Sequence, residues 1–367
     1  MLKAIFTLDY EIHGNGTGSP YTLMVEPTNR LLRQFDTYGA KLTIMADIGE
    51  ILKFKQLAEE QGSDDYNYEA IARQLCDAIR GGHDVQLHIH SSYFNAYHEN
   101  GHWVQDWSEY DFARLSWDRM NEMVRQGKEF LETLLRPVDP NYHCKIFRAA
   151  NWSVCPSQDV ISVLSSNGIK VDTSVFKYGQ REGRVNFDYM AAFSPLVPWR
   201  TNKNDICAQS DNGELWEFPI YSEKRWIGAF LTLQRIYRVL LGRLHKFADS
   251  PDSLPVTKAL PSQRNRYSSR WKGFTLKHAW KADFNQCGGQ QLIEALERAE
   301  EEYASEKTVF PFVLIGHSKL FSRYNEWSLR PFLAHIAKHP ERFSFGRFAD
   351  FPLDEMGKNW NTVKAEQ

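Results

Sequence analysis

Thr7-Leu8-Asp9-Tyr10-Glu11 closes an apolar run that starts at Ala4. Side chains two apart on a strand point the same way, so Asp9 and Glu11 share one face at that strand's carboxyl end. In α/β folds this end carries the chemistry. Other apolar runs stop in the same manner, at His88-Ile89-His90, Arg148, Asp172 and His317. Acids, histidines and an arginine gathered on one rim predict a metal-dependent hydrolase.

The remaining patterning supports that frame. Strands are expected at 3–8, 41–46, 84–89, 143–147, 169–172, 214–218, 309–315 and 343–345. Helices are expected near 26–38, 67–80, 109–134, 157–167, 231–246, 288–306 and 326–338. This alternation implies βα units on a mainly parallel sheet. Gly39, Gly81-Gly82 and Gly168 fall where helices should turn into the next strand. Seven or eight units in a chain of 367 residues point to a distorted (β/α) barrel rather than an open sheet. The first and last strands are then neighbours, bringing His317 to Asp9. One barrel domain is expected over residues 1–350, with a basic insertion at about 222–282 and a C-terminal tail at 351–367.

Composition narrows the function classes. A hydrophobic content of 42% and an aromatic content of 14% can fill a core, and aromatic rings serve cores more often than ligands. A net charge of -2 gives no general case for nucleic acid or membrane binding. Five cysteines without a CxxC pair suit free thiols in a reducing compartment. The N-terminus lacks the features of a secretory signal, and no apolar stretch has the length of a spanning helix. The expected location is the cytoplasm. One segment departs from the average: residues 224–281 hold 13 Lys or Arg against Asp249 and Asp252. Within it, 231–247 reads as a basic amphipathic helix bearing Arg235, Arg238, Arg243 and Lys246, and 250–269 as a loop. A solvated basic surface is the plain explanation. The sharper one is an anionic partner such as phosphate, pyrophosphate or the inner face of a membrane, contacted peripherally.

A hydrolytic metal site needs a few ligands, an open position for water and a base. His88 and His90 lie two apart on a strand, so their rings project together. With Glu11 as the carboxylate ligand and Asp9 as the base they form a set suited to one divalent ion, zinc above all, or cobalt or nickel. The plain alternative is a group of buried polar residues that satisfy one another. Arg148 can hold a neighbouring carboxylate ionised and oriented. His317 is a natural acid for a departing amine, with Asp172 to tune it. A rival, His98-Glu99-Asn100-Gly101-His102, matches HExxH by letter, but Asn100-Gly101 breaks the helix that this motif needs. A loop over the cleft is expected there, with Trp103 free to stack on a sugar ring. Gly14-Asn15-Gly16-Thr17-Gly18 lacks the ending of a phosphate loop and reads as a flexible rim loop.

In order and spacing these segments resemble the polysaccharide deacetylase (NodB-homology) superfamily, carbohydrate esterase family four. Residues 7–11 resemble its first motif, with the second acid displaced by one position to Glu11. Gly82 to His88 resembles its second, H-x-x-x-H, but the fourth residue after His88 is Ser92, leaving His90 as the substitute ligand. Phe147-Arg148-Ala149-Ala150-Asn151-Trp152 resembles the third motif without its usual proline and glycine. Residues 171–174 resemble the fourth and 314–319 the fifth. The resemblance spans roughly 3–320. It implies a barrel that removes acetyl groups from N- or O-acetylated sugars with a divalent metal. Asp9 is then the base, Arg148 its partner, and Glu11, His88 and His90 the ligands. His317 is the acid, and Trp103, Trp152, Arg238 and Arg243 contact substrate. DYE, LHIH, DTSV and Glu217-Phe218-Pro219-Ile220 resemble a divergent branch associated with bacterial surface-polysaccharide and lipopolysaccharide synthesis. A cytoplasmic member would meet a nucleotide-linked or lipid-linked sugar. The missing HxxxH ligand motivates the alternative, a catalytically silent barrel that binds carbohydrate or acts as a scaffold.

Overall fold

The computed structural model describes residues 1–230, 277–303 and 308–353. The expected basic helix at 231–247, the loop at 250–269, Arg238, Arg243 and most of the expected tail lie outside the described residues.

The sheet is built around β1 (Leu2–Tyr10). Apart from Lys3 every residue of it is buried, as befits a parallel strand covered on both faces. On one side β1 pairs with β7 (Phe310–His317) and on the other with β2 (Leu42–Asp47), while β8 (Phe343–Phe345) pairs with its first residues. The parallel path runs on from β2 through β3 (Asp84–Ile89), β4 (Ile146–Ala149) and β5 (Val171–Asp172) to β6 (Trp216–Glu217). Two antiparallel strands, Trp199–Asn202 and Asp205–Gln209, extend that edge. Isolated bridges from Ile220 to Val313 and from Asp283 to Ile315 carry the chain after β6 back to β7. The sheet thus curls into a distorted (β/α) barrel, as the sequence predicts.

All eight expected strands are present, with ends shifted by no more than three residues. Helices α1 (Glu26–Tyr38), α3 (Tyr68–Arg80), α5 (Ser157–Ser166), α6 (Gly289–Tyr303) and α7 (Arg323–Lys338) also match, and α4 (Trp117–Leu135) begins eight residues after the expected start at 109. One was not foreseen: α2 (Ile48–Gln61) follows β2 with no connecting loop. Asp47 both ends the strand and caps the helix, its carboxylate accepting from the Gly49 N–H. Sequence punctuation looks for a loop between elements, and none exists here.

The core below the rim is aromatic. Phe6 is fully buried, with ring centroids of Phe35, Phe284, Phe332 and Phe345 4.6 to 6.3 Å away. Phe6→Ala is expected to cost about 3–5 kcal/mol, read as a shift in a urea unfolding midpoint. Above this cluster Gly316 lets β7 lie against Phe284, since a Cβ there would stand 2.1 Å from the ring. His317 follows directly, so the packing of β7 fixes where that imidazole emerges.

Register places the strand ends opposite one another. Asp9 faces His317, Asp47 faces His88, His88 faces Arg148, and Asp172 faces both Phe147 and Glu217. Among the described residues no helix is long and apolar enough to cross a membrane. Cys76, Cys144, Cys155 and Cys207 are free thiols.

Candidate metal centre and its acid–base partners

Alternation along β1 sorts its last residues by face. Tyr10 points outward, its hydroxyl donating to Gln74 Oε1 at 2.6 Å, while Asp9 and Glu11 are buried on the inner side. Asp9 Oδ1 accepts from Arg148 Nη1 at 2.8 Å, and Asp9 Oδ2 stands 3.6 Å from His317 Nε2. Arg148 is wholly enclosed, and two more of its donors are occupied. Nε donates to the Thr173 carbonyl at 2.9 Å and Nη2 to Thr173 Oγ1 at 3.3 Å. Burial alone would raise the Asp9 carboxyl. Arg148, with His88 and His317, outweighs it and holds Asp9 below its ordinary value.

Glu11 divides its two oxygens. Oε1 meets Lys319 Nζ at 2.7 Å. Oε2 faces His90 Nδ1 at 3.1 Å and His88 Nε2 at 3.4 Å, without a hydrogen bond of good geometry. Burial pulls this carboxyl up, but Lys319 and the two imidazoles bring it well below the usual range. His88 Nδ1 lies 2.9 Å from the Arg148 carbonyl oxygen. A carbonyl only accepts, so a proton sits on Nδ1, and in the neutral ring Nε2 carries the lone pair that would ligate. This second contact is the one that metal-binding histidines typically make. His90 Nδ1 lies 2.6 Å from Asp47 Oδ2.

Ligand atoms of Glu11, His88 and His90 all lie within 4.8 Å of one another. Asp47, Glu50 and His90 form a second such group that shares His90. Burial, with Asp47 and Glu11 nearby, pushes the Glu50 carboxyl well up and favours its protonated form. Its Oε2 accepts from the Ile12 N–H at 2.8 Å. Glu50→Gln copies this protonated form. It is expected to change stability by less than about 1 kcal/mol and to leave metal content unchanged. A loss of several kcal/mol in thermal unfolding would show that Glu50 is ionised.

The first group fits a divalent ion of the zinc type. Two imidazoles and a carboxylate leave one coordination position open, which is the pattern of catalytic sites. The buried Glu11 Oε2 oxygen, left without a proper hydrogen bond 3.4 Å from His88 Nε2, marks where a cation would sit, while His90 Nδ1 is engaged by Asp47.

Asp9, Glu11, His88, His90, Arg148 and His317 are therefore brought together. Three expectations need correction. Asp172 is engaged elsewhere: its oxygens accept from the Ser174 hydroxyl at 2.8 Å and N–H at 3.0 Å, and it neighbours Glu217. The carboxylate that faces His317 is Asp9. Trp103 is not free to stack on a sugar. It is 4% exposed and packs among Phe54, Tyr66 and His98. It lies in a hairpin of Tyr97–Glu99 with His102–Val104 that turns at Asn100 and Gly101, both at positive φ. As expected, this segment is not a helix. The glycine loop after β1 is packed, not free: a Cβ at Gly16 would stand 2.5 Å from the Trp103 carbonyl oxygen. Trp152 is half-buried against Phe176, with the Lys281 ammonium over its ring. Ser92, in the position of the missing histidine, is buried and donates to Gln105 Oε1 at 2.7 Å.

Sequence reading missed Asp47, Glu50, Lys319 and Lys281. Asp47 could have been found by the strand-end rule that picked out Asp9. Lys319 lies two beyond His317, as Glu11 lies two beyond Asp9, and with Asp9 paired to His317 the second residues meet as well.

No protein-family profile matches the chain, and no curated protein does. Solved structures do align along most of its length. A Mycobacterium smegmatis protein designated a polysaccharide deacetylase shares 13% identity at a TM-score of 0.49, with 100% of this chain and 93% of that chain covered. A Pseudomonas aeruginosa protein of the same designation shares 13% at 0.45, covering 100% and 93%. A Streptomyces lividans family 4 carbohydrate esterase shares 9% at 0.38, covering 94% and 91%. Likeness this distant says nothing about chemistry, which rests on the residues themselves.

Proposed function

We propose that the chain is a metal-dependent deacetylase that removes an acetyl group from an N-acetylated sugar used in surface-polysaccharide or lipopolysaccharide synthesis. The observation that carries this reading is the Asp9–Arg148 pair set beside Glu11, His88 and His90. It joins an ionised carboxylate with a ligand set of open geometry. Glu11, His88 and His90 would hold one divalent ion, which when bound polarises a carbonyl and acidifies water. Asp9, fixed by Arg148 and kept ionised, takes the proton from the attacking water. His317 Nε2 stands across 3.6 Å from Asp9 Oδ2, and burial lowers the imidazole's pKa, so it rests neutral. A proton taken by Asp9 passes over this gap to His317 and on to the departing amine. The C–N bond breaks, and acetate and the free amino sugar leave.

A second reading, a sugar-binding barrel without turnover, draws on Lys319, whose ammonium already neutralises Glu11. Acetate release from a panel of N-acetylated sugars and sugar phosphates separates the two. The deacetylase should release acetate in the presence of zinc or cobalt and stop when a chelator is added. Release that persists unchanged in excess chelator would remove the metal from the reaction.

A further inference from the structure

Among the described residues three cations reach the rim around Asp9, and two of them are matched. Arg148 pairs with Asp9 and Lys319 with Glu11. The third is Lys281, the last residue of the strand His278–Lys281. Its Nζ stands 3.4 Å from the centroid of the Trp152 ring and 4.3 Å from that of Phe176. It makes no ion pair with any described carboxylate. Asp283 is occupied by the N–H groups of Asn285 and Gln286 and by the Gln286 side chain, and Asp9 is held by Arg148. Burial brings the ammonium down to about 8, with Arg148 adding to the effect against Asp283 and Asp9. A half-buried ammonium on two aromatic faces gains from the rings. Among the described residues it still lacks the counter-ion that a desolvated charge requires.

The platform beneath Lys281 is constructed rather than incidental. Asn151 and Trp152 both hold left-handed backbone conformations, with φ of 55° and 56°. Non-glycine residues rarely adopt these, and they cluster at functional sites. The Trp152 carbonyl is fixed by the Tyr189 hydroxyl at 2.5 Å and the Val154 N–H at 3.1 Å. Positive charge continues outward from Lys281. The strand Ser222–Arg225 pairs antiparallel with 278–281, placing Ser222 opposite Lys281 and Lys224 opposite Ala279. Lys224 therefore shares a face with Lys281. Its ammonium lies 4.8 Å from the Tyr178 ring, with Lys177 5.6 Å from the same ring.

We propose that Lys281, seated on Trp152 and Phe176 beside Asp9 and Arg148, is the head of an anion-binding subsite continued by Lys224 and Lys177. It takes a negatively charged group, phosphate or carboxylate, carried by the sugar substrate. This deepens the deacetylase reading and rests on it for the placement of a sugar at Asp9. The subsite sets which acetylated sugar is accepted: an anionic one is anchored at Lys281 with its acetyl group toward Asp9, and a neutral one is not.

Glucose, glucose 1-phosphate and glucuronate test this without any acetyl group, so the outcome does not depend on turnover. Calorimetric titration of the full-length protein at low salt should show one anionic sugar binding at least about tenfold tighter than glucose, the scale of one charge-assisted contact. Whether phosphate or carboxylate is preferred identifies the anion. Lys281→Met keeps the packing on both rings and should abolish the preference, while Lys281→Arg should retain most of it. Equal binding of all three sugars, or a preference that survives in Lys281→Met, would overturn the proposal. Loss of acetate release with this preference intact would instead strike the deacetylase reading.

Discussion

Asp9→Asn is expected to lower the turnover of an acetylated sugar by about 10²- to 10⁴-fold, the usual worth of a positioned general base. Asparagine keeps the shape of the side chain and an oxygen to accept from Arg148 Nη1. It cannot take a proton from water. The rest of the site stays as it is, because Arg148 is also tied to Thr173 through two bonds and Glu11 does not touch Asp9's oxygens. Binding of substrate should therefore change much less than kcat, and metal content should not change. Full activity in this variant would take the base role away from Asp9.

Removing the other half of the pair should act mainly on stability. Arg148→Met is expected to cost about 3–5 kcal/mol, because it leaves a buried carboxylate without its cation. The sign of the pH dependence follows from Asp9. In the wild type its carboxyl lies below the ordinary value of 3.8. Its contribution is thus complete above that pH and fades as pH falls through the lower folded value. Without Arg148 burial prevails and the carboxyl rises, so the variant loses stability as pH climbs. The gap between the two proteins should widen from about pH 4 toward neutrality. Urea unfolding at a series of pH values measures it. A gap that is constant across this range would mean that Arg148 contributes packing and not charge.

How far the sequence carried the reading depends on the residue. Asp9, Glu11, His88 and His90 were legible because a strand's period of two is rigid: the identity of neighbours decides a face without further knowledge. Arg148 and His317 followed from the same rule applied at other strand ends. Asp172 obeyed that rule too, yet its partner was misassigned. Sequence places it at the rim, but only register shows Glu217 beside it and Ser174 occupying its oxygens. Trp103 was misread for a different reason. Aromatic rings in a polar loop look exposed until a hairpin folds them inward, and the contacts with Phe54 and Tyr66 join residues about fifty and forty positions apart. Lys281 was hidden among 12 other basic residues of the 224–281 segment. Nothing local distinguishes its ammonium, which turns back onto Trp152, 129 residues earlier.

The central claim is that Glu11, His88 and His90 hold one divalent ion. The most direct measurement is metal content by mass spectrometry on protein purified without chelator or added metal, beside a His88→Ala/His90→Ala double variant. About one equivalent of zinc, cobalt or nickel per chain, lost in the double variant, is the predicted result. No bound metal in the wild type even after zinc is offered, or an equal amount in both proteins, would contradict it.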